Sequence, residues 1–186
     1  ALNLKETARR HARSIGKRYE DCNLIVCHID GGISVTAHSG GRMIDAIDAG
    51  GGEGPFTPTR CGSLAVTDVI GALGARTHAE LKALCSQAGG FTSHFGTSNS
   101  DTVHAMVEAG DPKATLIWNT MIYQIAKTIG EMATVLKGKV DAILLTGGIA
   151  YSKPWMAMIE ERVGWIAPVK IYKGENEMLA LAICGK

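Results

Sequence analysis

The sequence predicts an α/β fold, a mixed sheet of about five strands flanked by helices, on three observations. Two short apolar runs, residues 24–27 and 142–145, each lead into a glycine pair, Gly31-Gly32 and Gly147-Gly148. Near the N-terminus three strand-like stretches are separated by glycine turns, which reads as a meander. The last third alternates strand and helix patterns, and that alternation argues for a parallel sheet covered by helices.

Taken in order, residues 3–17 carry Leu4, Ala8, Ala12 and Ile15 amid charges, a helical spacing with a basic solvent face, and Gly16 marks its end. Strands are expected at 24–29, 33–38 and 42–44, with Gly31-Gly32 and Ser39-Gly40-Gly41 as turns. Residues 46–62 hold five glycines and two prolines without periodicity, so they form a long loop, a feature that in compact domains is usually functional. Helices follow at 65–73, 77–87 and 100–109, the last behind the polar stretch Thr97-Ser98-Asn99, which suits an N-cap. Asp111 as N-cap and Pro112 at the first position open the longest helix, whose stripe of Leu116, Ile117, Met121, Ile122, Ile125, Ile129, Met132 and Leu136 ends at Gly138 and reads as core. A strand at 140–145, a glycine turn, a helix at 154–163, a strand at 166–171 and a helix at 175–183 complete the chain.

With 186 residues the chain is long enough for one domain with a full core, two very small domains being the alternative. Nineteen basic against 18 acidic residues leave a formal charge of +1, which provides no basic surface for nucleic acid. Aromatic residues make up 5%, too few for single-strand stacking platforms. No apolar run approaches the ~20 residues that span a membrane. Five cysteines at irregular spacing, Cys22, Cys27, Cys61, Cys85 and Cys184, argue against a disulfide framework or zinc site and for reduced, largely buried thiols in a cytoplasmic protein. The chain opens on Ala1 and a basic helix without an apolar signal core, so it reads as beginning inside something larger rather than with an export signal.

The two glycine pairs carry the chemistry. Glycine lets a ligand approach the backbone, and free N–H groups at such a turn suit phosphate or the edges of a nucleotide. Two such turns in one fold suggest a nucleotide held between them, although the same pattern also closes hairpins that bind nothing. Neither turn has the spacing of a Walker or Rossmann loop. A histidine at a strand end, an arginine after a Pro-rich loop and two glutamates at a helix start each have ordinary structural readings as well. His11, His38, His78, His94 and His104 are taken as surface or internally satisfied residues.

A meander with one glycine turn, then helices and a βα unit with a second, is similar to half of the actin-like ATPase fold, a ribonuclease H-like lobe. Within that group Cys27-His28-Ile29-Asp30-Gly31-Gly32-Ile33-Ser34-Val35, Gly52-Glu53-Gly54-Pro55-Phe56-Thr57-Pro58-Thr59-Arg60, Leu145-Thr146-Gly147-Gly148-Ile149-Ala150-Tyr151-Ser152 and Ile166-Ala167-Pro168-Val169 with Gly174-Glu175-Asn176-Glu177 resemble the butyrate kinases of the acetokinase family. The resemblance runs over nearly the whole chain. It implies a nucleotide-binding C-terminal lobe spanning 1–186, with the N-terminal lobe absent, of an enzyme that turns ATP and butanoate into ADP and butanoyl phosphate.

By that likeness His28 and Arg60 sit beside the transferring phosphoryl oxygens, Arg60 through its planar fork and His28 as a hydrogen-bond donor. Asp30, Gly31, Gly32 and Ser34 form the phosphate-facing hairpin, Gly147, Gly148 and Ile149 flank the adenosine, and Glu175 and Glu177 lie near a magnesium-associated carboxylate. ATP, Mg2+, a short-chain carboxylate and a homodimer with the helix from Pro112 at its interface are the implied ligands and partner. The chain also departs from the family: Asp30 stands where glycine is common, and Asn99-Ser100-Asp101 stands where an Asp-x-Arg approaches the ribose and base. These departures and the missing lobe keep open a catalytically silent module for oligomerisation or partner binding. An acyl kinase for propanoate or a branched short-chain acid is a third reading.

Overall fold

The computed structural model describes residues 2–174. In chain order the first elements are α1 (Leu2–Ser14), β1 (Leu24–Ile29), β2 (Ile33–Ser39) and β3 (Arg42–Ala46). Four helices follow, α2 (Val66–Leu73), α3 (His78–Ser86), α4 (Gly90–Phe95) and α5 (Ser100–Glu108), and then the long α6 (Pro112–Val135). The chain closes with β4 (Ala142–Gly147), a 3-10 turn at Gly148–Tyr151, α7 (Lys153–Val163) and β5 (Val169–Lys173). The expected helix at 175–183 lies outside the described residues.

Two compact units share these elements. The first comprises residues 2–29, 34–47 and 126–174 and holds a five-stranded sheet in the order β3-β2-β1-β4-β5. The sheet is mixed: β2 and β3 pair antiparallel, whereas β1–β4 and β4–β5 are parallel. All of β4 and five of the six residues of β1 are buried, which is why both read as unbroken apolar runs rather than alternating ones. Leu24 and Val26 of β1 and Ala142 and Leu144 of β4, each pair two residues apart, share one core cluster with Leu4, Ala8 and Ala12 of α1. Removing such apolar side chains from water stabilises the fold by about 1.5–3 kcal/mol for each of the larger ones.

Several boundaries differ from the sequence expectation, most by one to three residues; β4, for example, spans Ala142–Gly147 rather than 140–145. β3 runs to Ala46 because its ladder with β2 continues through Asp45 and Ala46. β5 starts at Val169 because Pro168 has no N–H to donate; its carbonyl accepts the Ile143 N–H at 3.0 Å. Ile166, expected to open that strand, instead donates its N–H to Val163 and completes the turn after α7. The buried face of α1 also holds Asn3, Glu6, Thr7 and His11, while Ile15 follows the helix and is exposed.

The second unit comprises residues 30–33 and 48–125. Its core is aromatic: Phe91 of α4 stacks on Trp118 of α6 with centroids 6.2 Å apart and meets Phe56 edge-on. The short α4 has no sequence periodicity, and burial of Phe91 anchors it. Asn99 caps α5 and Asp111 caps α6, each through a side-chain oxygen that accepts two backbone N–H groups. A reciprocal Thr77–Glu80 capping box opens α3. Ala114, Trp118, Met121, Ile122 and Ile125 form the buried stripe of α6 in this unit, whereas Leu116, assigned to that stripe by periodicity, is 65% exposed. Neither α2 nor α3 buries a residue.

Candidate functional site

In the second unit the turn after β1 is held by the loop Thr57–Arg60. Thr57 Oγ1 donates to the Gly31 carbonyl at 2.7 Å and Thr59 Oγ1 donates to the same oxygen at 2.9 Å. Because a trans peptide points its N–H opposite its C=O, this anchoring turns the Gly32 N–H away from the two threonines. Thr57 Oγ1 also accepts the N–H groups of Thr59 and Arg60, and the Thr57 N–H bonds the Arg60 carbonyl, so the loop closes on itself. Gly90 supports it from below: φ is +56°, and a Cβ there would collide with the Thr57 carbonyl. Thr92 adds two hydrogen bonds to the Pro58 carbonyl.

Arg60 is thereby brought onto the turn. Its Nη1 and Nη2 lie 2.7 and 3.1 Å from where a Cβ on Gly32 would be, so only glycine leaves the guanidinium room. Arg60 Nε is buried without a hydrogen-bond partner. Among the described residues no acceptor reaches it, and an oxyanion would match the guanidinium fork. Asp30 Oδ1 accepts the Gly31 N–H at 2.7 Å, so one turn amide is already engaged by the chain's own carboxylate.

The first unit holds His28, Ser34, Gly147, Gly148 and Ile149. His28 is half-buried near the end of β1 and pairs in register with Thr146 of β4. Asn3 Nδ2 lies 3.3 Å from His28 Nδ1, so the Asn3 amide engages one ring nitrogen and fixes the orientation of the imidazole. Ser34 is half-buried near the start of β2. β1 and β4 end side by side, at the carboxyl edge where open α/β sheets bind ligands.

Gly147 is glycine for an internal reason. Its φ is +103°, and a Cβ would collide with the backbone of Ile29 on the neighbouring strand. The hairpin alternative for this pair is excluded, since β4 has parallel neighbours on both sides and the chain continues into the 3-10 turn. Gly148 is exposed and Ile149 half-buried within that turn. Glu175 and Glu177 lie outside the described residues, and among the described residues no group of three or more His, Cys, Asp or Glu is arranged to hold a metal ion.

Sequence reasoning missed Thr57, Thr59 and Asn3, which act on partners 25 or more residues away. The stretch Asn99-Ser100-Asp101 serves as a helix cap. His38 is fully buried: Tyr19 Oη lies 2.7 Å from Nδ1 and Thr36 Oγ1 2.8 Å from Nε2, and burial pushes its pKa down to about 4. No helix among the described residues is long and apolar enough to cross a membrane.

The acetokinase family profile matches residues 5–162. The chain is 48% identical over 184 residues to a Bacteroides thetaiotaomicron protein named "Probable butyrate kinase", and 47% identical over 184 residues to a Clostridium botulinum protein of the same name. Each comparison takes in 98% of this chain and 52% of the relative, so the chain spans about half the length of the curated relatives it matches. Among solved structures, Porphyromonas gingivalis acetate kinase matches with a TM-score of 0.88 at 18% identity, over 98% of this chain and 53% of that one. A propionate kinase from Francisella tularensis gives 0.85 at 19% identity, over 97% and 53%. A ROK hexokinase from Thermus thermophilus gives 0.53 at 17%, over 95% and 62%. At these identities the structural likeness speaks to fold alone, and that fold is of the actin-like ATPase class. With a family profile matched across most of its length, the chain belongs to the acetokinase family.

Proposed function

We propose that this chain is the nucleotide-binding, C-terminal lobe of an acyl kinase that transfers a phosphoryl group from ATP to butanoate, giving ADP and butanoyl phosphate. The observation that carries the proposal is the Arg60 guanidinium seated against the Gly31-Gly32 turn with Nε buried and unpartnered. Phosphoryl transfer depends mainly on positioning and on neutralising charge over the moving oxygens. In this reading a carboxylate oxygen of the acid attacks the terminal phosphorus and ADP leaves. Arg60 binds the phosphoryl oxygens, His28 donates a hydrogen bond to them, Asp30, Gly31, Gly32 and Ser34 form the phosphate-facing turn, and Gly147, Gly148 and Ile149 flank the adenosine. Glu175 and Glu177 are the candidate carboxylates that would hold a Mg2+ ion, which would neutralise charge on the phosphates. Butanoate is favoured over propanoate or a branched acid by the names of the relatives at 47–48% identity. A homodimer is favoured by Leu116 and Tyr123, exposed seven residues apart on α6.

Calorimetric titration with magnesium ATP tests the proposal. The unaltered chain should bind, and Arg60→Ala should weaken binding at least tenfold; in the complete enzyme Arg60→Ala should lower kcat about a hundredfold. Equal binding by both proteins removes Arg60 from the site. One observation favours the silent-module alternative: the Asp30 carboxylate already holds the Gly31 N–H. Absence of nucleotide binding with and without Mg2+ would decide for it.

A further inference from the structure

Cys61 and Cys85, expected from the sequence to be ordinary buried thiols, are neither fully buried nor far apart: both are half-exposed and unoxidised. The Cys61 N–H donates to the carbonyl of Leu84, the residue before Cys85, at 2.9 Å. That hydrogen bond and standard covalent geometry limit the two Cα atoms to roughly 7 Å or less, the range a disulfide spans. Their side chains converge on the loop around Gly62. Cys61 Sγ donates to the Gly62 carbonyl at 3.3 Å, and a Cβ built on Gly52 would lie 3.4 Å from Cys85 Sγ and 3.9 Å from the same Gly62 carbonyl. Burial, and next the adjacent Cys85 thiol, push the Cys61 pKa up to about 11.

Between these cysteines the chain makes an excursion through α2 and α3, neither of which buries a residue. Segments with so little buried surface open locally at low cost. Cys61 also directly follows Arg60, so its backbone ties the Arg60 loop to the end of α3.

We propose that Cys61 and Cys85 are a vicinal dithiol that closes to an intramolecular disulfide, locking the α2–α3 excursion to the Arg60 loop. The oxidant is a low-molecular-weight disulfide such as oxidised glutathione. One protein thiolate attacks a glutathione sulfur and expels glutathione thiolate; the second protein thiolate attacks the mixed disulfide and expels the other glutathione. Two protein thiols are oxidised, one glutathione disulfide is reduced to two glutathione thiols, and the two thiol protons pass to the leaving thiolates. Because thiolate is the nucleophile, the rate rises with pH. The proposal is independent of any nucleotide chemistry.

The test is incubation of the native chain with oxidised glutathione at pH 8, then alkylation, tryptic digestion and mass spectrometry. The expected result is a Cys61–Cys85 cross-linked peptide in most molecules, absent in Cys85→Ser. Tryptic cleavage of the native protein at Arg76 and Lys82 should slow at least tenfold on oxidation and recover with dithiothreitol, while Cys85→Ser, altered at a half-exposed position, shows no such change. Glutathione retained on either thiol of the unaltered chain, cross-links to other cysteines, two alkylated thiols, or an unchanged cleavage rate each overturn the proposal.

Discussion

Arg60 occupies the space that a side chain on Gly32 would need, its Nη1 standing 2.7 Å from the position of the missing Cβ. The obstacle is the end of a flexible side chain rather than backbone, so Gly32→Ala should shift the guanidinium and leave the fold standing. Nucleotide affinity should fall about tenfold, the loss of one charge-assisted contact, with a stability change within about 1 kcal/mol. Calorimetry and a thermal melt on the same preparation check both arms; unchanged affinity would separate the Gly31-Gly32 turn from the nucleotide.

Gly147 and Gly148 are adjacent but should respond differently. At Gly147 a Cβ meets the Ile29 backbone and φ is +103°, so Gly147→Ala should destabilise by about 3 kcal/mol or more. Gly148 is exposed, so Gly148→Val should reduce nucleotide binding with a smaller change in stability. Urea denaturation of both variants, paired with nucleotide titration, separates the structural glycine from the ligand-facing one. The assignment of Gly148 fails if its variant binds normally.

His38 ties stability to pH. Burial first, and Lys5 second, depress its pKa to about 4, whereas in the unfolded chain it titrates at its ordinary value of 6.5. Between these values the unfolded state binds the extra proton, so stability should fall as pH drops from about 6.5 to 4, by on the order of 3 kcal/mol. His11 and His94, whose pKa values are also lowered mainly by burial, act in the same direction. His38→Gln keeps polar atoms for Tyr19 and Thr36 but does not titrate there, so urea midpoints across this window should flatten. A slope equal to that of the unaltered protein would assign the acid sensitivity elsewhere.

Asp30 places a carboxylate on the proposed phosphate-facing turn and holds the Gly31 N–H at 2.7 Å. Asp30→Gly removes a like charge and releases that donor, so affinity for ATP should rise about tenfold. The gain should be larger without Mg2+ than with it, because the cation screens the same repulsion. Titrations at two Mg2+ concentrations check this; equal affinity for both proteins would place the triphosphate away from Asp30.

The sheet was legible because its central strands are covered on both faces, which forces unbroken apolar runs at residues 24–27 and 142–145. The long helix was legible through its Asp111 cap and buried stripe, although Leu116 faces solvent, because an apolar residue off the buried face leaves no mark in composition. The helix α4 was not legible: its six residues lack a period, and Phe91 anchors it through Phe56 and Trp118, 35 and 27 positions away along the chain. Among the site residues, the glycine pairs stand out as turns directly after buried strands, whereas His28 and Arg60 are named through short words resembling a known family.

By itself the sequence determined the α/β class, the positions of the two glycine pairs and the family, since strand burial, caps and turn chemistry act over a few neighbouring residues. Tertiary structure alone decided that Arg60 rests on Gly32, that Asn3 orients His28, that Ile29 forces glycine at position 147, and that Cys61 and Cys85 meet. Each of these relations joins residues at least 24 positions apart, and a local pattern cannot specify which distant backbone will lie against it.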